Sequence, residues 1–342
     1  MKKSNLFMLI VPAFFVAMIV FVASCTKEGE QGPPGEDGTD GTATCTQCHN
    51  DSQELFAKVN QWEHSTHATG GTYERNYGEC AICHTSQGYL GYNVSGDYDP
   101  EAEDALISNP NPVNCYTCHN IHSQYVAEDY SLTVTEPAEL RNTGGQTYDY
   151  GNANLCSNCH QGRTVDPFPA VGGADIVVED SRYGVHHGPQ ANTIAGMGLF
   201  EPGVYPAHPH SNIENSCTTC HMAEAYGAQA GGHTFNISYE YHGGMEVNTA
   251  GCIECHLDED ALIEDTEELQ AEIEVLLADL KVLLDAAGIT AEGSDSSIPG
   301  TYPAEVAGAC LNYKALTEDR SLGVHNPTYM KNLLEESIAL LQ

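Results

Sequence analysis

The chain has 342 residues, 14 Cys, 16 His and a net charge of −36 from 12 basic and 48 acidic side chains. That charge excludes nucleic-acid binding, because a phosphate backbone would be repelled and no counterions released. With 41% hydrophobic and 8% aromatic residues beside 33 Gly and 16 Pro, the side chains offer little bulk for a large core, so something else is expected to fill part of the interior.

Residues 1–24 read as an export signal: Lys2 and Lys3 make a positive start, and Leu6 to Val22 is apolar except for Pro12. The alternative is an uncleaved membrane helix, although an apolar run of about 17 residues is at the short limit for spanning. Val22-Ala23-Ser24-Cys25 resembles the bacterial lipoprotein box. That resemblance implies a lipid on Cys25, and Thr26 after it, where Asp would signal inner-membrane retention, implies the outer membrane. The folded part would then face the periplasm or the cell exterior. Within residues 25–44, Gly29, Gly32, Gly35, Gly38 and Gly41 follow the collagen period over five triplets. Five are too few for a triple helix, so the stretch reads as a flexible tether behind the lipid anchor.

Residues 45–257 hold the motifs that decide the chemistry. Twelve cysteines fall in six C-x-x-C-H motifs: Cys45/Cys48/His49, Cys80/Cys83/His84, Cys115/Cys118/His119, Cys156/Cys159/His160, Cys217/Cys220/His221 and Cys252/Cys255/His256. Two Cys one helical turn apart can reach the two vinyl groups of a porphyrin, and the adjacent His falls under the iron. A lone C-x-x-C would fit a thioredoxin-like or zinc site as well, but His follows every pair here. Six haem c are expected as cofactors. A porphyrin is a large apolar plate, so the haems would serve as the core and folding would depend on their attachment.

Ten His remain for the second axial positions: His64, His67, His122, His186, His187, His208, His210, His233, His242 and His325. His122 lies three residues after His119, on the same face if that segment is helical, so it would bind a neighbouring iron. The motifs resemble those of multihaem cytochromes c, a group that includes pentahaem nitrite reductases, hydroxylamine-oxidoreductase-like octahaem proteins and extracellular cytochrome filaments; the likeness runs from about residue 45 to 342. It implies that His67 rather than His64 ligates in Trp62-Glu63-His64-Ser65-Thr66-His67. It likewise implies His186 in His186-His187-Gly188-Pro189-Gln190, His210 after Pro209, His233 in Gly232-His233-Thr234-Phe235, and His325 in Val324-His325-Asn326-Pro327. His64, His187 and His208 read as surface or hydrogen-bonding residues, and His242 is open between the two roles. Met197, Met222, Met245 and Met330 are the other available ligands, but Met222 is too close to His221 to turn back onto that iron. With ten spare His, His/His ligation and low potentials are expected.

Residues 258–342 read as an α-helical region that supplies a haem ligand. Ile273, Leu276, Leu277, Leu280, Leu283 and Leu284 have helical spacing and Gly288 is a stop signal. Packing of this stripe on the haem domain is expected over a coiled-coil partner. Pro303 to Thr317 predicts a second helix, with Cys310 inside it as a buried thiol, and Asn326 with Pro327 opens a third that ends near Leu341. The expected fold is therefore a multihaem cytochrome c, mostly irregular with short helices around a haem core, plus a helical C-terminal region. The expected function is non-enzymatic electron transfer between periplasmic donors and an outer-membrane or extracellular acceptor. Partners would be redox proteins with basic docking faces, or a metal-ion or mineral acceptor. A multihaem reductase of nitrite, hydroxylamine or a sulfur oxyanion is the enzymatic alternative, weakened because no C-x-x-C-K occurs. Self-assembly into a conductive filament is the third reading.

Overall fold

The structure, a computed structural model, describes residues 53–70, 72–122, 130–186 and 188–342. The export signal, Cys25, the tether, the first motif (Cys45, Cys48, His49) and His187 lie outside the described residues. Residues 44–342 group into one compact unit.

The first part of this unit is a series of short helices: α1 (Glu54–Glu63), α2 (Thr66–Thr69), α3 (Gly78–His84), α4 (Ser86–Leu90), α5 (Cys115–Cys118), α6 (Asn154–Ser157), α7 (Gln190–Ala195) and α8 (Ser216–His221). Side-chain caps open three of them, Ser65 for α2, Thr85 for α4 and Asn114 for α5. The Thr85 hydroxyl donates to the Ala81 carbonyl and accepts from the Gly88 amide, both at 2.9 Å, so one buried residue closes α3 and opens α4. Asn114 and Thr117 form a capping box on α5, and the Thr117 hydroxyl reaches on to Ser86 at 2.8 Å. Three antiparallel two-stranded sheets join the segments: β1 (Ala138–Glu139) with β2 (Thr147–Tyr148), β3 (Ile176–Val178) with β6 (Gly300–Tyr302), and β4 (Ser238–Tyr241) with β5 (Gly244–Val247). The β3–β6 register, Ile176 opposite Tyr302 and Val178 opposite Gly300, ties the chain beyond residue 258 to its middle.

Three long helices complete the unit: α9 (Glu259–Ala287), α10 (Ala304–Asp319) and α11 (Pro327–Leu341). Asp258 caps α9 by accepting from the Ala261 amide, and Gly288 ends it in the left-handed region at φ 76°. Asn326 accepts from the Tyr329 amide to open α11, with Pro327 at its first position. Ile273, Leu277, Leu280 and Leu284 of α9 are buried, while Val275 and Val282 face solvent. This stripe packs on α10 and α11. It is therefore covered mainly by the region's own helices, which corrects the expectation that it would lie on the haem-binding segments.

The main core joins that stripe to Leu311 and Leu316 of α10, Met330, Leu333 and Leu334 of α11, and Val165, Ile176, Val178, Leu199 and Phe200 from the middle of the chain. Composition implied little side-chain core; the apolar residues are concentrated from 165 onward and do build one. Before residue 160 the largest buried side chains are few, with Tyr89, Leu140 and Tyr148 foremost. Phe200 lies flat on Gly308, and buried Asn312 accepts from the Phe200 amide at 2.9 Å and donates to its carbonyl at 2.7 Å. A Cβ on Gly308 would meet three ring atoms of Phe200 at 2.4 to 2.5 Å. Gly308→Ala is therefore expected to destabilise the haem-loaded protein by about 1–3 kcal/mol through overpacking, read as a lower denaturant midpoint at unchanged slope.

Candidate functional site

Each described C-x-x-C-H segment is wound into one helical turn. The His amide donates to the carbonyl of the first Cys in three of them: His119 to Cys115 at 2.8 Å, His160 to Cys156 at 2.9 Å and His256 to Cys252 at 2.9 Å. Cys80, Cys83 and His84 lie on α3, and Cys217, Cys220 and His221 on α8. None of these ten motif cysteines is in a disulfide. Thiols of different motifs also approach one another, Cys83 with Cys159 and Cys156 with Cys217.

Cys255 differs in depth from the other described motif cysteines. The other nine described motif cysteines are half-buried, whereas Cys255 is exposed. The physical reason is its place in the chain: Ile253 to Leu257 run along the surface between the 3-10 turn at Thr249–Gly251 and the start of α9, and their side chains face solvent. The sixth motif therefore lies at the rim of the unit, with only Cys252 turned partly inward.

Four of the motif His face a second His across a gap. The ring centroids are 6.1 Å apart for His160 and His67, 6.2 Å for His119 and His233, 6.3 Å for His221 and His325, and 6.2 Å for His256 and His210. A metal–imidazole nitrogen distance is about 2 Å, and two such bonds in line plus the two ring radii bring centroids to roughly 6 Å. The gaps thus match one metal between two imidazoles. Each pair spans elements far apart in sequence. His67 sits on α2, His210 and His233 in single 3-10 turns (Pro209–Asn212 and Gly232–Thr234), and His325 just before α11.

The ring nitrogens are oriented as well. Nδ1 of His119 donates to the Tyr130 carbonyl at 2.7 Å, that of His221 to Phe235 at 2.9 Å and that of His210 to Val324 at 2.7 Å. Nδ1 of His160 meets the Gln190 amide oxygen at 3.3 Å, and that of His84 the Thr72 hydroxyl at 2.8 Å. A carbonyl only accepts, so Nδ1 carries the proton and Nε2 is bare, the tautomer a metal binds. Burial lowers the basicity of these rings, bringing His67 down to about 4 and pulling His160, His210, His221 and His233 in the same direction. At His325 burial also lowers it, but Asp319 outweighs that by charge and hydrogen bond, and the net shift is upward.

These features fit haem on the donor set alone: two thiols in one turn, a bare imidazole nitrogen beside them, and a second imidazole across a metal-sized gap. Zinc would need three or four donors converging, and among the described residues no such group of His, Cys, Asp or Glu occurs. The buried indole N–H of Trp62, which has no partner among the described residues, fits a carboxylate of the porphyrin.

Other expected residues are placed differently. The helical-face argument for His122 fails, because α5 stops at Cys118, His119 is extended at φ −122° and His122 is left-handed at φ 54°. His186 is also left-handed, at φ 63°. His64 turns back to its own helix, with Nδ1 on the Asn60 carbonyl at 2.7 Å, and His208 accepts from the His210 amide at 3.2 Å. His242 packs edge-on against Tyr241.

Several participants carry no motif. Phe235 offers its carbonyl to His221 and its ring to both His67 and His233, with centroids at 5.0 and 6.1 Å. Gln61 of α1 accepts from the His233 amide at 3.1 Å and donates to the Gly227 carbonyl at 3.1 Å. Tyr89 is buried among Cys159, Cys118, Cys156 and Cys83, and burial raises its phenol far above the ordinary range.

No family model matches the chain, and no curated protein matches it. Among solved structures it is similar to the outer cell wall cytochrome OcwA, with 22% identity and a TM-score of 0.52, over 83% of this chain and 50% of that one. The fold therefore resembles that of this neighbour over the matched residues, and the chain spans half the neighbour's length. Among the described residues no helix is long and apolar enough to cross a membrane.

Gln61→Ala removes both hydrogen bonds to the 227–233 turn. The His233 amide is expected to exchange its hydrogen roughly five- to tenfold faster, for about 1 kcal/mol of lost local stability, while α9 to α11 exchange as before.

Proposed function

We propose that this chain is an electron carrier holding six haem c, attached at the six C-x-x-C-H motifs and ligated mainly by two His each. The observation that carries the reading is the set of four imidazole pairs at 6.1 to 6.3 Å. The axial pairs we assign are His160 with His67, His119 with His233, His221 with His325, and His256 with His210. His122 and His186 then serve the irons of His49 and His84. When bound, the haems supply one-electron exchange at iron.

The residues do the rest. Two protein ligands on an iron exclude substrate from it, which favours a carrier over a reductase. The close thiols of Cys83 with Cys159 and of Cys156 with Cys217 bring together the attachment points of motifs two and four, and of four and five. Exposed Cys255 leaves the sixth haem open to the surface, where a partner can reach it. With a net charge of −36, the surface suits redox partners with basic faces, or cationic acceptors. Export, a lipid on Cys25 and an outer-membrane location belong to the same reading.

The test is haem content per chain together with the EPR spectrum of the oxidised protein. Six haems, all low-spin, are expected. A high-spin haem would mean an open iron and would overturn the carrier reading; fewer than six would overturn the count. Electron transfer to a basic partner protein should also slow as salt is raised, over the range where the Debye length falls from about 30 Å to about 10 Å.

A further inference from the structure

Of the ring N–H partners described above, those of His119, His160, His210 and His221 are neutral oxygens. The exception is His325. Its Nδ1 lies 2.8 Å from a carboxylate oxygen of Asp319, whose side chain is fully buried at the end of α10. The other Asp319 oxygen accepts from the Ser321 hydroxyl, and that hydroxyl accepts in turn from the His325 amide at 3.2 Å. The side chain of Thr193 also hydrogen-bonds to Asp319. The contact is a built one, with the carboxylate held from three sides and aimed at one ring nitrogen.

A carboxylate on the outer nitrogen of a metal-binding imidazole draws the N–H proton toward itself and makes the inner nitrogen a stronger donor. A stronger donor favours the more positive iron, and a buried negative charge nearby favours it again, since little solvent screens it. Both effects act in one direction. A backbone carbonyl provides the first only weakly and the second not at all.

We propose that Asp319 is a positioning residue that makes the iron shared by His221 and His325 a lower-potential site than the irons of the other three His pairs, through the hydrogen bond it accepts from His325 Nδ1. This rests on the reading of His221 and His325 as one axial pair. The site is interior to the row: Cys217 of its motif lies against Cys156 of the fourth, and Val324 beside His325 accepts from His210, the ligand assigned to the sixth. A low-potential site there makes an uphill step between the fourth and sixth haems.

The experiment is a potentiometric titration of the haem-loaded full chain, followed by EPR, on the wild type and four variants. His325→Met assigns the signal, because only the haem of that pair should change its axial signature. If it alters no haem signal, the axial assignment itself falls. With the signal assigned, the wild type should reduce that haem after those of the other three His pairs, so that no more than two haems follow it. Asp319→Asn keeps the shape and a neutral oxygen, and should shift that haem's reduction equilibrium about tenfold toward the reduced form, about 59 mV for one electron, with the other haems unmoved. Asp319→Glu should restore part of the shift. Ser321→Ala removes a donor that shares the carboxylate's charge, and should move the same haem the opposite way. Opposite signs from neighbouring substitutions would not follow from a purely structural disturbance. The inference is overturned if more than two haems are reduced after the assigned one, or if Asp319→Asn leaves its potential unchanged. Should Asp319→Asn not yield haem-loaded protein, the absence of a negative shift in Ser321→Ala overturns it.

Discussion

Four pairs of imidazole rings stand 6.1 to 6.3 Å apart, centre to centre, and most of the local structure between residues 53 and 256 serves to hold those gaps. Two apolar or aromatic rings left to themselves would close until they touched. Here the rings are anchored from behind, by a carbonyl, side-chain amide or carboxylate oxygen on Nδ1, or by the turn that carries them. The anchors are often backbone atoms of a third segment, as with Phe235 for His221 and Val324 for His210. One segment therefore supports several gaps, and the segments depend on one another in a way that their short helices, taken singly, do not.

The same chain stabilises itself by two different means. Beyond residue 165 the apolar side chains meet as in any globular domain, with the α9 stripe, α10, α11 and Phe200 closing one core. Among the described residues before 165 few large side chains are buried, with Ile82, Tyr89, Leu140 and Tyr148 foremost, and backbone and hydroxyl hydrogen bonds such as those of Thr85 and Thr117 do the joining. In the proposed function, the porphyrin plates supply the apolar area that part lacks. The β3–β6 pairing and the contact of Phe200 with Gly308 connect the two regimes.

What could be read from the sequence follows the range of each interaction. A C-x-x-C-H turn needs its three residues within five positions, so it is spelled out contiguously. Its depth is not: Cys255 has the same motif around it as the half-buried cysteines, yet it is exposed, because what covers a turn comes from elsewhere in the chain. The ends of α9 and α11 were equally visible, because Asp258, Gly288, Asn326 and Pro327 act on their immediate neighbours. The second tail helix continues past Thr317 to Asp319, where Arg320 leaves it at φ 63°, a stop with no Gly to announce it. The helical face assumed for His122 is absent, because α5 ends one residue before His119. The roles of Gln61, Phe235 and Asp319 had no local signal. Gln61 acts on a residue 172 positions away, and composition averaged over 342 residues hid how unevenly the apolar ones are placed.

The turn before α11 bears on the order in which the molecule is assembled. Val324 accepts from His210, 114 positions earlier; His325 faces His221; and Asn326 donates to the Ile194 carbonyl at 3.2 Å and the Ser211 hydroxyl at 3.1 Å. Three consecutive residues thus close three long loops at once, each carrying the entropy of a distant contact. The motif turns are complete as soon as their own five residues are present, so in the proposed function covalent loading need not wait for the rest of the chain. The far side of the fifth and sixth sites must wait for residues 324–326. Synthesis halted before that turn would then leave a product that carries its pigment but lacks His325 and the carbonyl that orients His210, which makes this turn the point where the molecule is finished.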